Sequence, residues 1–261
     1  KSESTTEQTK TEEKMKYKKI ILGVALALAC FSSLNANALT ETKVKKTETQ
    51  TAAPNVYWTD GYGRVSYTTN SIISPVVKIA LKEFAGDMKA VTGFEAKEKN
   101  GAPIQIYQLD QLSNKEFSAV EKLVAPLHLI ITGKDAFYIG TRKKKLIVIG
   151  SNARGTAYAI MKLSELAGVS PLAAWNDLQP AQRKSLYTPV DQQWIEVPRI
   201  EFRGLALNNS QWMKPQNYSR IARLMLRLRA NTLWQVDGKH EAAYNKAVVD
   251  SFDICVAENY K

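Results

Sequence analysis

Residues 200–236, IEFRGLALNNSQWMKPQNYSRIARLMLRLRANTLWQV, decide the architecture of the second half of this chain. Residues 200–207 form an apolar run that ends in Asn208-Asn209-Ser210. Residues 215–230 then repeat apolar side chains at helical spacing, Ile221, Leu224, Met225 and Leu228, with Arg220, Arg223 and Arg227 on the opposite, solvated face. Asn231 to Val236 is a second short apolar run, and residues 241–259 carry a further helical pattern. Strand, helix, strand and helix in close succession is the signature of parallel strands joined by crossover helices. Closing such strands into a barrel takes eight, so two strand-helix units read as the start of an incomplete barrel and the chain as the front portion of something larger.

Working backwards, residues 171–198 are rich in Pro, Gln, Asp and Trp and read as a long connection. Before it, strands and helices alternate. Ser74 followed by Pro75 opens a helix that Gly93 closes, with Val77, Leu81, Phe84, Met88 and Val91 on one face. Residues 104–107, 127–132, 136–140 and 146–150 read as strands, 115–124 and 154–167 as helices. The expectation is an α/β domain over residues 55–190, followed over 191–261 by the first two βα units of a (β/α)8 barrel.

The chain opens differently. Residues 1–14 are polar and precede the first methionine, Met15, and read as an upstream extension. Lys16, Lys18 and Lys19, the apolar run 20–30 and Ala36-Asn37-Ala38 make up the three parts of a signal peptide over residues 15–38. Export to the periplasm or cell exterior is therefore expected. The apolar run falls short of the roughly 20 residues that a span needs, so no membrane span is expected after cleavage. Cys30 offers lipid attachment as an alternative, against which Leu28 stands where a small residue is wanted. Residues 39–54, dominated by Thr, Lys and Glu, read as a flexible spacer. Once the signal is removed Cys255 is the only cysteine, so no internal disulfide can form.

The formal net charge is +11 over 261 residues, and without residues 1–38, with their six Lys and four Glu, it is +9. The densest basic block, Arg142-Lys143-Lys144-Lys145, sits between two apolar runs and reads as a solvated hairpin turn. With no basic face gathered on one element, nucleic acid is not an expected partner. The Gly150-Ser151-Asn152 turn exposes helix N-terminal amides, yet neither a G-x-G-x-x-G nor a G-K-[ST] motif is present, so no nucleotide or other cofactor is expected. His240 has no His, Asp or Cys cluster around it and His128 sits in an apolar run, so no metal is expected either.

Three blocks carry a family resemblance. Residues 146–160, LIVIGSNARGTAYAI, with 163–171, LSELAGVSP, resemble the end of the N-terminal domain of glycoside hydrolase family 115. Residues 198–208, PRIEFRGLALN, resemble that family's first barrel strand, and 227–234, RLRANTLW, its second. Similar N-terminal domains precede the barrels of family 20 hexosaminidases and family 67 α-glucuronidases, and the Gly-Val-Ser-Pro stretch favours family 115. What the resemblance implies is inverting hydrolysis of glucuronic acid side groups on xylan, hence a carbohydrate partner. That chemistry needs two carboxyl groups about 6.5–9.5 Å apart, drawn from the C-terminal ends of barrel strands. The first end here carries Asn208 and Asn209, where the resemblance implies Asn followed by acidic residues. Asn209 can hydrogen-bond a hydroxyl but cannot act as a base. The second end carries Trp234, which can stack on a sugar ring or pack at the rim, and Asp237, which beside Gly238 also suits a turn. Asn208, Asn209, Trp234 and Asp237 are thus candidate substrate contacts, with no catalytic residue assigned. A non-catalytic exported carbohydrate-binding protein is the second reading.

Overall fold

The apolar run 146–149 forms the centre of the main sheet. β6 (Lys145–Gly150) is buried from Leu146 to Gly150, as a strand covered on both faces should be. In the computed structural model, which describes residues 54–258 except 125–126, 128–132, 177, 208–214 and 236–241, β6 lies between β4 (Ile104–Gln108), parallel to it, and β5 (Phe137–Arg142), antiparallel. β2 (Ser66–Thr68) and β3 (Lys97–Glu98) extend the parallel side, and β8 (Gln193–Glu196) extends the antiparallel side, giving the order β3-β2-β4-β6-β5-β8. The link between β5 and β6 is a two-residue turn in which Lys143 and Lys144 both take positive φ, 48° and 60°. That geometry matches the twist of a tight hairpin and leaves the basic block in water, as its sequence setting predicts.

Alternate residues of β6 face different helices. Leu146 and Val148 join the core beneath α1 (Pro75–Thr92) and α3 (Ala153–Leu166), whereas Ile147 and Ile149 pack with Val120 of α2 (Asn114–Val124). Helices on both faces make this the expected α/β sandwich. α1 begins after Ser74, has Pro75 in its first turn, and ends where Gly93, at φ 85°, donates its N–H to the Lys89 carbonyl. All five apolar positions read from its sequence are buried.

α2 is started by a reciprocal cap. The Ser113 N–H donates to Glu116 Oε2 at 2.9 Å and the Glu116 N–H to Ser113 Oγ at 3.3 Å, a capping box. The Ser71 N–H adds a bond to Glu116 Oε1 at 2.7 Å. Hydrogen bonds from Ser113, and then from Ser71, hold the Glu116 carboxyl down at about 2. A depressed folded-state value means that this contribution is present above the ordinary glutamate range and is lost as pH falls toward 2. Glu116→Ala should therefore cost about 1 kcal/mol at neutral pH and flatten the loss of stability below about pH 4.3, which thermal melts of both proteins across pH 2–6 would show.

Residues 171–198 are more structured than the sequence suggests. They contain a single helical turn, α4 (Ala173–Asn176), and β7 (Tyr187–Pro189), which pairs with β1 (Asn55–Tyr57) as an antiparallel ribbon. They also hold β8, an edge strand of the main sheet. β7 and β8 are only three and four residues long, too short for an apolar–polar alternation to stand out in the sequence.

The second half contains three parallel strands in the order β9-β10-β11. These are β9 (Gly204–Leu207), β10 (Thr232–Gln235) and β11 (Cys255–Glu258), linked by α5 (Pro215–Arg227) and α6 (Ala242–Phe252). Two corrections to the sequence reading follow. The first strand is Gly204–Leu207 rather than 200–207, because residues 200–203 are held by side-chain hydrogen bonds described below. The helix expected over 241–259 stops at Phe252; Asp253 turns the chain at φ 54°, and a third strand follows. The helices are not left with uncovered apolar faces. Ala222, Leu226 and Phe252 join the core that holds Phe84 and Tyr158, and the described residues form one compact unit. Among the described residues no helix is long and apolar enough to cross a membrane.

Candidate functional site

Strand register places Trp234 beside Ala206, with Thr232 beside Gly204 and Cys255 one pleat earlier on the same face. Leu233, on the other face, is buried with Tyr218 and Met225. Trp234 itself is 46% exposed. These residues, together with Phe202, Leu205 and Val256, line a hollow of about 470 Å³. Small residues on β9 give the hollow its room. Among the described residues the eight that line it include no carboxylate or histidine, so this surface offers an apolar face that can enclose or stack on a ring, with the Cys255 thiol as a titratable group at its edge. Among the described residues no three His, Cys, Asp or Glu side chains come together in a way that would hold a metal ion. Asn208, Asn209 and Asp237, like His128 and His240, lie outside the described residues, so of the four candidate substrate contacts only Trp234 is placed.

Other residues of the sequence blocks that carry the family resemblance meet at the N-terminal ends of β9 and β10. Their centre is Asp135, 2% exposed, which the sequence reading missed. Asp135 Oδ1 accepts from Asn152 Nδ2 at 3.0 Å and Arg154 Nε at 2.9 Å. Oδ2 accepts from Arg203 Nη2 at 3.1 Å and Asn231 Nδ2 at 3.0 Å. Burial alone would raise the Asp135 pKa, but the Asn152 bond and the Arg154 charge outweigh it and hold the carboxyl below its ordinary value.

Asn231 extends the network. Its Nδ2 also donates to the Glu201 carbonyl, and its Oδ1 accepts from the Arg203 N–H and Thr232 Oγ1. Arg203 Nε donates to the Arg229 carbonyl, and Tyr158 OH to that of Ala230. The Ile200 and Glu201 carbonyls and both backbone polar groups of Arg203 are thus engaged locally. Arg227, expected on a solvated face, is instead buried and ties α5 to α1, donating to both oxygens of Asp87 at 2.9 Å and to Glu83 at 3.1 Å.

The Gly150-Ser151-Asn152 turn has a structural occupation as well. Asn152 caps α3 by accepting from the Gly155 N–H at 2.8 Å, and a Cβ on Gly155 would lie 2.3 Å from the Ala136 carbonyl oxygen. The fingerprint residues therefore clamp the α/β domain to the start of the parallel strands, at the end opposite the one where barrel sites form.

No protein-family model matches the chain, and no curated protein matches it. Solved structures do match. A family GH115 4-O-methyl-α-glucuronidase, described as specific for decorated arabinogalactans, is similar with a TM-score of 0.64 at 25% identity, over 74% of this chain and 28% of its own. The chitobiase of Flavobacterium johnsoniae matches with a TM-score of 0.52 at 14% identity, over 79% of this chain and 32% of its own. A β-hexosaminidase of Streptomyces plicatus matches with a TM-score of 0.54 at 12% identity, over 79% and 43%. The last two show the fold alone. The chain thus spans about a third of the glycosidases it matches, and less than half of any of these three. The resemblance to glycoside hydrolase family 115 is borne out, and the fold is that of a glycosidase's α/β domain with parallel strands behind it.

Proposed function

We propose that this chain is the leading part of an exported glycoside hydrolase of the α-glucuronidase type, acting on glucuronic acid groups carried by xylan. The observation that carries this reading is the likeness to the family 115 enzyme, which takes in most of the chain at 25% identity. The basic, apolar and small-x-small segments of residues 15–38 support export. In this reading the α/β domain and the Asp135 clamp hold β9 and β10 in register. Trp234 stacks on a sugar at the strand ends, and Asn208, Asn209 and Asp237 are the further substrate contacts that the sequence offers.

The two carboxyl groups that an inverting hydrolysis needs come from outside residues 1–261. Incubated with glucuronoxylan oligosaccharides, and with decorated arabinogalactan because the similar enzyme is specific for it, residues 1–261 should release no glucuronic acid, whereas the whole gene product should. Release by residues 1–261 would overturn the placement of the acids. Sugar binding without release by the whole product would favour the second reading, a non-catalytic exported carbohydrate-binding protein.

A further inference from the structure

Residues 57–64 and 183–187 run side by side along one edge of the α/β domain, on elements that contribute nothing to the parallel-strand hollow. β1 and β7 set Tyr57 directly opposite Tyr187. Their ring centroids are 5.7 Å apart with planes tilted by 55°, and each residue is 53% exposed. The inward side chains of the same ribbon are buried, and Trp58 Nε1 donates to Thr188 Oγ1 at 2.9 Å. The two tyrosines therefore stand on a fixed base with their rings in water, a position that packing does not account for.

Beyond Trp58 the chain enters a turn closed by Asp60, whose Oδ1 accepts from the N–H groups of Tyr62 and Arg64 and whose Oδ2 pairs with Arg64 Nε at 2.8 Å. Tyr62 sits at the tip, 77% exposed. The Arg64 guanidinium lies 4.9 Å from its ring centroid, covering one face by a cation–π contact and leaving the other open. This turn touches the second segment. A Cβ on Gly63 would lie 3.3 Å from the Lys184 carbonyl oxygen, and the Leu186 N–H reaches Thr59 Oγ1 at 3.3 Å. Arg183 and Lys184 are exposed, and among the described residues neither enters an ion pair. From Lys184 to Tyr187 is three residues, at most about 11 Å of chain.

We propose that this strip, Tyr57, Tyr62 and Tyr187 with Arg183 and Lys184, is a non-catalytic binding surface for an acidic polysaccharide. A tyrosine offers an apolar face bordered by a hydrogen-bonding hydroxyl, which matches a sugar ring with C–H groups on its face and hydroxyls at its rim. The two unpaired cations suit carboxylates spaced along the polymer, and the net positive charge of the chain attracts such a polyanion. The strip holds polymer while the strand ends work on its branches. The proposal rests on the carbohydrate reading above.

Affinity electrophoresis of residues 1–261 through gels containing glucuronoxylan, or the same xylan stripped of its uronic acid, tests it. Retardation should be stronger on the acidic polymer. Tyr57→Ala/Tyr187→Ala, and separately Tyr62→Ala, should weaken retention about tenfold, which corresponds to about 1.4 kcal/mol; Tyr62→Ala, at the exposed tip, should leave Tm unchanged, and the double variant should lower it only by the loss of one half-exposed cross-strand ring pair. Lys184→Gln should narrow the gap between acidic and stripped xylan.

Equal retardation of wild type and tyrosine variants would overturn the strip, as would absence of retardation by any glycan. So would a single-stranded oligonucleotide shift, or a concentration-dependent change in sedimentation, that the same variants abolish while glycan retention stays intact. Glucuronic acid release by the whole gene product without retardation of residues 1–261 would sink the strip and leave the proposed function standing; retardation without release would do the reverse.

Discussion

Asp135→Ala is expected to lower stability by about 3–5 kcal/mol, the cost of stripping a buried charge network of one partner. Four donors converge on this carboxylate, from Asn152, Arg154, Arg203 and Asn231. The side-chain exposures of Arg154 and Arg203, 17% and 22%, leave little water to replace the lost oxygens. Two guanidinium groups would then share the gap, Arg154 keeping only the more distant Asp253 at 3.5 Å and Arg203 only carbonyl partners, and two amide N–H groups would lose an acceptor. An exposed pair makes the control. Asp60→Ala removes an ion pair with Arg64 in which both side chains are well exposed, 42% and 56%, along with two solvent-exposed turn hydrogen bonds, and should cost far less than Asp135→Ala. Urea unfolding of the three proteins gives the comparison, and a cost for Asp135→Ala near that of the control would refute the clamp.

The acid limb should move as well. Because the folded state holds the Asp135 carboxyl below its ordinary value, its contribution is present above the unfolded value of about 3.9 and fades as pH falls below it. The variant should therefore lose less stability than wild type on acidification through that window.

Much of this molecule was legible because its signals are local. The Ser74-Pro75 start and Gly93 stop of α1 are read from single residues whose backbone preferences suffice, and the Lys143-Lys144 turn from the two apolar runs that flank it. β11 was not legible. Ile254 and Val256 continue the apolar spacing of α6, and the break between them and the helix is Asp253 at positive φ, with neither Gly nor Pro to announce it. β8 was missed because it is an edge strand that leaves Ile195 51% exposed.

The site shows the same division. Trp234 is found by its place at a strand end. Asp135 is not, since its four partners stand 17, 19, 96 and 68 residues away, and a lone Asp after Gly133-Lys134 looks like a turn residue. Asn152, Arg154, Arg203 and Asn231, all within the recognisable blocks, turned out to form the clamp. A family fingerprint can mark what holds a catalytic frame together as readily as what reacts within it.

Gly204 lies in that fingerprint, and its replacement makes the sharpest geometric test of the frame. Strand register pairs Gly204 with Thr232, and a Cβ built on Gly204 would fall 1.5 Å from the Thr232 carbonyl oxygen and 3.0 Å from its Cα. Both are backbone atoms, so no side chain can swing aside to make room. β9 and β10 must separate by more than an ångström, and that loosens the ladder from Gly204–Thr232 through Leu207–Gln235. Thr232 is also tied to Asn231 Oδ1, and its N–H to the Arg203 carbonyl, so the displacement is transmitted directly into the Asp135 clamp.

Gly204→Ala should therefore cost about 3 kcal/mol, at the upper end for an overpacked site, although alanine is otherwise a mild substitution in a strand. The damage should also be uneven. The main sheet and the α1–α3 layer contain none of the displaced atoms, so limited proteolysis should clip residues 199–261 sooner than in wild type while leaving the α/β domain intact. Trp234 fluorescence should shift as the hollow beside it opens. Unchanged cleavage and an unchanged melting temperature would mean that β9 and β10 are not as closely pressed as this register requires.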